Sequence, residues 1–81
     1  MDVYTPISCT FHDHIEHFIT LKKPVTITFI ESEVEVYYQT QILETYTSHT
    51  KEEFMKLKNY PNEIRLDSII SIDDIYLDEY D

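Results

Sequence analysis

Glycine is absent from this chain of 81 residues. Glycine enters the left-handed backbone region without steric cost, and the tightest hairpin turns need that region. Turns in this chain must therefore rely on Asn, Asp, Ser or Lys, and the sequence predicts loose turns rather than sharp two-residue ones. A glycine-rich loop that cradles phosphate groups is excluded.

Short strands are predicted over most of the chain after Pro24. Residues 25–29 and 33–38 alternate apolar and polar side chains and are separated by a short polar turn, which indicates a hairpin. The second strand is expected to continue through Ile42, long enough to bend round a barrel, before a polar loop at 45–52. Further strands are predicted at 53–57, 63–72 and 75–77. In the strand 63–72, the side chains expected to face inward are Ile64, Leu66, Ile70 and Ile72.

A short helix is predicted ahead of the strands. Apolar residues recur at helical spacing at Ile15, Phe18 and Ile19. This spacing predicts an amphipathic helix near 12–20, about two turns long, that docks on the core. Ser8 or Thr10 is expected to cap it, with Asp13 and Glu16 in or near its first turn. Because Asp13 and Glu16 are three residues apart, both carboxylates are expected on one side of the helix.

The pattern as a whole predicts one mainly β domain. One helix followed by about five short antiparallel strands suggests a small, strongly bent sheet or barrel. The expected divisions are an N-terminal arm and helix at 1–22, a β-barrel at 24–77 and an acidic tail at 78–81.

The charge balance is strongly acidic, with 16 Asp and Glu against 6 Lys and Arg and a net charge of −10. Nucleic acid is itself a dense line of negative charge, so direct binding to it is disfavoured. A basic protein partner is favoured, because complementary fields steer the encounter of two molecules. Solubility alone explains an acidic surface equally well.

Location is predicted from two further observations. The chain shows no signal peptide and no apolar run near the roughly 20 residues that a membrane helix needs. Its single cysteine cannot form an internal disulfide, which fits a reducing compartment. We therefore expect a cytoplasmic protein without a membrane partner. A monomer without a cofactor is also expected.

Potential metal ligands cluster near the N-terminus, where Cys9, His12, His14 and His17 form the pattern C-x2-H-x-H-x2-H, and His49 follows later. These side chains suit zinc by type. The spacing argues against one closed site, because His12 and His14 point about 200° apart on a helix. Cys9, expected ahead of the helix, can pack as a small hydrophobe. Surface histidines are the favoured interpretation, with a metal-binding helix as an alternative.

Catalysis is not expected. Cys9 and His12 are the one pair that suggests a nucleophile and its base, but the spacing identifies no third orienting group and no oxyanion donor. The chain is therefore predicted not to be an enzyme.

Tyrosine is abundant, at Tyr4, Tyr37, Tyr38, Tyr46, Tyr60, Tyr76 and Tyr80. Exposed aromatic rings on a small barrel stack nucleic-acid bases or anchor a protein interface. Core or half-buried packing is expected for Tyr38 and Tyr76. A small RNA-binding module that uses exposed tyrosines is therefore a second interpretation.

Two segments carry a family resemblance. The first is Tyr4-x-Pro6-Ile7-x-Cys9 followed by Asp13-x-Ile15-Glu16, and the second is Glu63-Ile64-Arg65-Leu66-Asp67-Ser68-Ile69. In order and in spacing within each segment, the chain resembles the Rof family of Rho-binding antiterminators. The middle of the chain departs from that family in detail, with HDHIEH in the helix and a glycine-free turn at 58–62.

The resemblance implies an N-terminal helix on a small Sm-like antiparallel β-barrel. It also implies binding to the transcription termination factor Rho near its primary RNA-binding surface, so that Rho cannot load on RNA. Asp13 and Glu16 are then expected to occupy phosphate-like positions and to pair with Lys or Arg of Rho. The residues expected to flank them are Tyr4, Thr10, His12 and His17. Arg65 and Asp67 are expected to be structural, as an ion pair or a turn contact.

Overall fold

The computed structural model describes residues 6–80, the last two as backbone only. Within this range a helix, α1 (Cys9–Leu21), precedes six strands. The strands are β1 (Pro24–Glu31), β2 (Val34–Thr47), β3 (Glu53–Leu57), β4 (Ile64–Arg65), β5 (Ile69–Ile72) and β6 (Ile75–Tyr76). Short 3-10 turns follow β4 and β6, at Leu66–Ser68 and Leu77–Tyr80. The predicted fold class, mainly β with one N-terminal helix, is confirmed.

The longest strand, β2, holds the sheet together. The six strands form one antiparallel sheet in the order β4-β3-β2-β1-β5-β6. Strand β2 pairs with β1 from Val34 to Gln41 and with β3 from Ile42 to Thr47. A register shift between Ile42 and Glu44 accompanies the change of partner, and such irregularities bend a strand. The predicted continuation of this strand through Ile42 is confirmed.

The loop predicted at 45–52 begins later than expected. Residues 45–47 continue β2 and pair with the first half of β3, so that part of the prediction is wrong. Threonine and tyrosine favour strands, and the adjacent β3 supplies the partners. The strand predicted at 53–57 is confirmed as β3. The strand predicted at 75–77 is shortened to β6, because Leu77 begins the second 3-10 turn.

The strand predicted at 63–72 is interrupted by the first 3-10 turn. There the hydroxyl of Ser68 donates to the carbonyl of Arg65 over 2.7 Å, a local bond that competes with strand pairing. The interruption shifts the alternation by one residue. Ile69 is consequently buried and Ile70 only half-buried, the reverse of the prediction.

Helix α1 begins earlier than predicted and is longer. Ser8 caps it by accepting the N–H of Phe11 at 3.2 Å. The helix therefore spans 13 residues, about three and a half turns. Cys9 is its first residue and is exposed, instead of preceding it. The two acidic residues predicted in or near the first turn, Asp13 and Glu16, consequently lie beyond that turn.

The helix docks on the sheet through one apolar stripe. Phe11, Ile15 and Phe18 are buried, and Ile19 is partly buried against them, so the predicted apolar side is confirmed and extended by Phe11. Both halves of the sheet contribute to the same core, through Val25, Ile27, Phe29, Ile42, Met55, Leu57, Ile64, Leu66, Ile69 and Ile72.

Left-handed backbone conformations occur without glycine at Lys22, Ser32, Glu33, Lys51, Asn59 and Asp73. The β1–β2 turn is a sharp two-residue turn, with φ of 52° at Ser32 and 66° at Glu33 and with Glu31 paired directly to Val34. The prediction of loose turns is wrong here. A non-glycine residue in this conformation costs about 1–2 kcal/mol, and the ladder and core packing of β1 offset that cost.

Substitution of Lys22 tests this conformational strain. Lys22 ends α1 with φ of 55°, and its N–H donates to the carbonyls of Phe18 and Ile19. We expect Lys22→Gly to be more stable than Lys22→Ala by about 1 kcal/mol, because both remove the charge and only glycine avoids the strain. Thermal unfolding should show a midpoint ~4–8 °C higher for the glycine variant. Equal midpoints would contradict the strain.

Candidate functional site

Three exposed side chains, Thr10, Asp13 and His17, form what we call the outer helix face. They lie three and four residues apart, the spacing of neighbours on one side of a helix. Asp13 is two residues from both Phe11 and Ile15, so it points about 200° away from each of these buried residues. No hydrogen bond or ion pair joins these three side chains to any other part of residues 6–80. The Asp13 carboxylate is therefore open to a partner.

Glu16 is turned partly toward the sheet. Its Oε1 accepts a hydrogen bond of 2.9 Å from the hydroxyl of Thr45 on β2, and its side chain is 50% exposed. The two carboxylates that were expected to act together are thus in different environments. Asp13 has no partner among the described residues, whereas Glu16 joins the helix to the sheet through one oxygen and leaves Oε2 for other contacts.

His12 lies at the junction of helix and sheet. Its Nε2 is 3.1 Å from Glu53 Oε2 on β3, and its Nδ1 is 3.8 Å from Glu16 Oε1. Both ring nitrogens of His12 are therefore directed at carboxylates. This side chain, predicted to flank a binding surface, is 30% exposed and contacts the sheet through Glu53. Tyr4, predicted with it, lies outside the described residues.

The partners of His12 and Glu16 were not identified from the sequence. Thr45 and Glu53 lie on β2 and β3, far along the chain from the helix. No motif links them to it, because only the bend of β2 brings that part of the sheet under α1. Residue spacing within the helix carries no information about such long-range contacts.

The metal and nucleophile interpretations gain no geometric support. No group of three His, Cys, Asp or Glu side chains within the described range is arranged to hold a metal ion. The ring nitrogens of His12 are directed at Glu16 and Glu53. The Cys9–His12 pair considered for nucleophilic chemistry therefore does not form as a contact within residues 6–80.

Arg65 and Asp67 form the structural ion pair expected of them. Arg65 Nε lies 2.6 Å from Asp67 Oδ1, and Arg65 Nη1 lies 3.1 Å from Glu52 Oε2. The hydrogen bond to Asp67 is the largest cause that raises the pKa of Arg65. The guanidinium fork thereby joins β4, the first 3-10 turn and the segment before β3. None of these contacts includes a residue of the outer helix face.

The tyrosines fall into two groups. Tyr38 is half-buried, as predicted, with its ring 4.8 Å from that of Tyr60 and its hydroxyl donating to the Asn59 carbonyl. Tyr37 is 68% exposed and Tyr76 is 46% exposed. The packing predicted for Tyr76 is therefore wrong, because its position on β6 places it on the non-core side of the sheet.

Tyr46 is held by several contacts on the β2–β3 pair. Its ring stacks on Phe54 at 5.6 Å, and Lys56 Nζ lies 5.6 Å from the ring centroid. Its hydroxyl donates to Glu63 Oε1 over 2.5 Å. This hydrogen bond is the largest cause that raises the pKa of Tyr46 to about 12, because ionisation would place a phenolate against a carboxylate. Tyr46 is therefore a fixed part of the sheet.

The fold and the site together define a small, acidic, mainly β domain that presents an exposed carboxylate on an anchored helix. No protein-family model, no curated protein and no solved structure matches this chain. Within residues 6–80, no helix combines the length and the apolar character needed to cross a membrane.

The Tyr46–Glu63 contact yields a prediction for the alkaline titration. We expect Glu63→Gln to lower the pKa of Tyr46 from about 12 toward the ordinary tyrosine value of about 10, because the carboxylate that opposes ionisation is removed. The pH dependence of the Tyr46 ring carbon signal in NMR measures this value separately from the other tyrosines. Glu44→Gln is the matched control and should produce a smaller change. An unaltered Tyr46 titration in Glu63→Gln would rule out the contact as the cause.

Proposed function

We propose that this chain is a protein inhibitor of Rho-dependent transcription termination, which binds Rho through the outer helix face together with Glu16. In this proposal the bound protein occupies the surface on which Rho would load RNA. The resemblance to the Rof family supplies the identity of the partner. The observation that carries the binding surface is the exposed Asp13 carboxylate on a helix whose opposite side is fully packed.

The proposed mechanism is charge mimicry by carboxylates held at fixed positions. Asp13 would accept hydrogen bonds from a lysine or arginine that otherwise contacts a phosphate group, and such charge-assisted bonds are stronger than neutral ones. Glu16 would contribute its second oxygen, since Oε1 already accepts from Thr45. Thr10 and His17 would form the polar rim of the contact.

Anchoring of the helix supports this mechanism. Phe11 and Ile15 are fully buried and Phe18 nearly so, and the Glu16–Thr45 and His12–Glu53 contacts fix the rotation of the helix about its axis. A partner would therefore meet a surface that is already ordered. Binding of a preorganised surface avoids the free-energy cost of ordering loops and side chains.

The overall charge supports the same type of partner. The net charge of −10 favours a basic groove and opposes a second polyanion in the same place. Two of the 6 basic residues are already paired with acidic side chains of the same chain. Lys56 contacts Glu63, and Arg65 contacts Glu52 and Asp67.

A second candidate function is direct RNA binding by exposed tyrosines. The observation that favours it is the exposure of Tyr37 and Tyr76, 68% and 46%. The acidic balance opposes it, because RNA affinity depends on phosphate neutralisation by Lys and Arg. A filter-binding titration with single-stranded RNA separates the two functions. Tight binding that weakens steeply with salt would favour the RNA-binding module over the Rho inhibitor.

Charge reversal at Asp13 tests the proposed surface. We expect Asp13→Lys to weaken binding to Rho from the same organism by about 10- to 100-fold, because a charge-assisted bond worth ~1.5–3 kcal/mol is replaced by repulsion. The thermal midpoint should stay nearly unchanged, since Asp13 has no partner within the described residues. Co-elution and equilibrium binding, with and without RNA competitor, provide the measurement.

Glu33→Lys is the matched control for this experiment. It makes the same change of charge in the exposed β1–β2 turn, outside the helix. We expect it to reduce affinity several-fold less than Asp13→Lys. Equal losses of affinity in the two variants would show that only the total charge matters. Unaltered binding of Asp13→Lys would reject the outer helix face as the contact.

A further inference from the structure

Four residues form a row across the non-core side of the sheet. Tyr37 on β2 lies opposite Thr28 on β1, Thr28 lies opposite Ser71 on β5, and Ser71 lies opposite Tyr76 on β6. We call these four residues the tyrosine row. Its two ends are exposed aromatic side chains and its centre consists of two short hydroxyl side chains.

The two residues at the centre of the row are buried between the tyrosines at its ends. Thr28 is 8% exposed and Ser71 4% exposed, although neither belongs to the apolar core. Their cross-strand neighbours in the row are Tyr37 and Tyr76, and directly opposed side chains on one side of a sheet are in contact range. The closeness of Tyr76 also contributes to the raised pKa of Tyr37, after the hydrogen bond to Glu35 and burial. The two tyrosines therefore lie on the same side of the sheet, at the two ends of the row.

This surface is aromatic, apolar and acidic at once. Ile30, two residues after Thr28 on β1, is 48% exposed and lies opposite Glu35 on β2. The carboxylate of Glu35 accepts the hydroxyl hydrogen bond of Tyr37. None of these six positions carries a basic side chain. A ring face beside a carboxylate suits the guanidinium group of arginine, which stacks on aromatic rings and pairs with carboxylates.

Other occupants fit the surface less well. RNA bases stack on tyrosines, but their phosphates would approach a protein of net charge −10 beside Glu35. A second copy of the chain would bring the same negative charge to the contact. A partner segment that carries arginine can stack on the rings, pair with the carboxylate and be attracted by the net negative charge.

We propose that the tyrosine row, with Ile30 and Glu35, is a second protein-binding surface that accepts an arginine-bearing extended segment of a partner protein. The arginine would stack on Tyr37 and pair with Glu35, while apolar side chains of the segment cover Ile30 and Tyr76. The proposal does not rest on Rho binding, because this surface shares no residue with the outer helix face.

The test compares two peptides that differ only in the cation. The isotope-labelled full chain is titrated by NMR with a nonapeptide of alternating threonine and arginine, and with the same peptide carrying lysine. We expect the arginine peptide to bind about 5- to 10-fold more tightly, since lysine lacks the planar group that stacks on a ring. The largest shifts should occur at the Tyr37 and Tyr76 ring signals.

Variants locate the binding on the tyrosine row. Tyr37→Ala with Tyr76→Ala should reduce the affinity for the arginine peptide to that for the lysine peptide. Glu35→Gln, which leaves both rings in place, should reduce the affinity for the arginine peptide about 3-fold. Leu43→Ala is the matched control, because Leu43 is 47% exposed and lies outside the row. The Leu43→Ala variant should bind the arginine peptide with the same affinity as the unaltered chain.

Four results would overturn the proposal. The first is equal affinity for the two peptides, and the second is shifts confined to the outer helix face and abolished by Asp13→Lys. The third is tighter binding of an oligouridylate at Tyr37 and Tyr76, which would assign the surface to RNA. The fourth is concentration-dependent shifts of the tyrosine row without peptide, which would assign it to a second copy. Loss of Rho binding in Asp13→Lys leaves the peptide result unaffected, so the two proposals fail separately.

Discussion

The divided pairing of β2 is the constraint on which the rest of the structure depends. This strand of 14 residues pairs first with β1 and then with β3, and the register shift between Ile42 and Glu44 marks the change. A strand that bends brings its two partners round a shared interior. Core side chains from β1 and β3 therefore belong to one buried cluster, which also includes Phe11 of α1. Loss of the bend would separate the two halves of the core and remove the apolar surface on which the helix packs.

The proposed function assigns stability and recognition to opposite sides of α1. The buried stripe attaches the helix, and polar contacts at its flank, Glu16 to Thr45 and His12 to Glu53, determine how it is rotated. The outward side consequently has no structural role among the described residues, and its carboxylate can be selected for binding alone. The same separation applies on the sheet, where Arg65 and Tyr46 are engaged internally while Tyr37 remains exposed.

The sequence predicted those elements whose cause is local. Period-two alternation identified the β1–β2 hairpin and β3, and helical spacing identified the buried side of α1, so the exposure of Asp13 followed. The features it missed depend on contacts that are distant or specific. The sharp turn at Ser32 and Glu33 is maintained by the long β1–β2 ladder, against local preference. The hydrogen bond from Thr45 to Glu16 joins residues 29 positions apart. No local sequence pattern predicts such a contact.

Charge and shape contribute differently to recognition by a protein of this kind. The net charge of −10 attracts any basic molecule, but at physiological salt this attraction decays over about 8 Å, so it steers encounters without choosing among them. Selection requires carboxylates in fixed positions beside groups of defined shape. Asp13 on an anchored helix and Glu35 beside the Tyr37 ring are two such arrangements. In the two proposals, the first accepts lysine or arginine side chains of a phosphate-binding groove, and the second accepts the planar cation of arginine stacked on a ring. Under these proposals, one acidic domain would distinguish two basic surfaces, because the neighbours of each carboxylate differ while the total charge is shared.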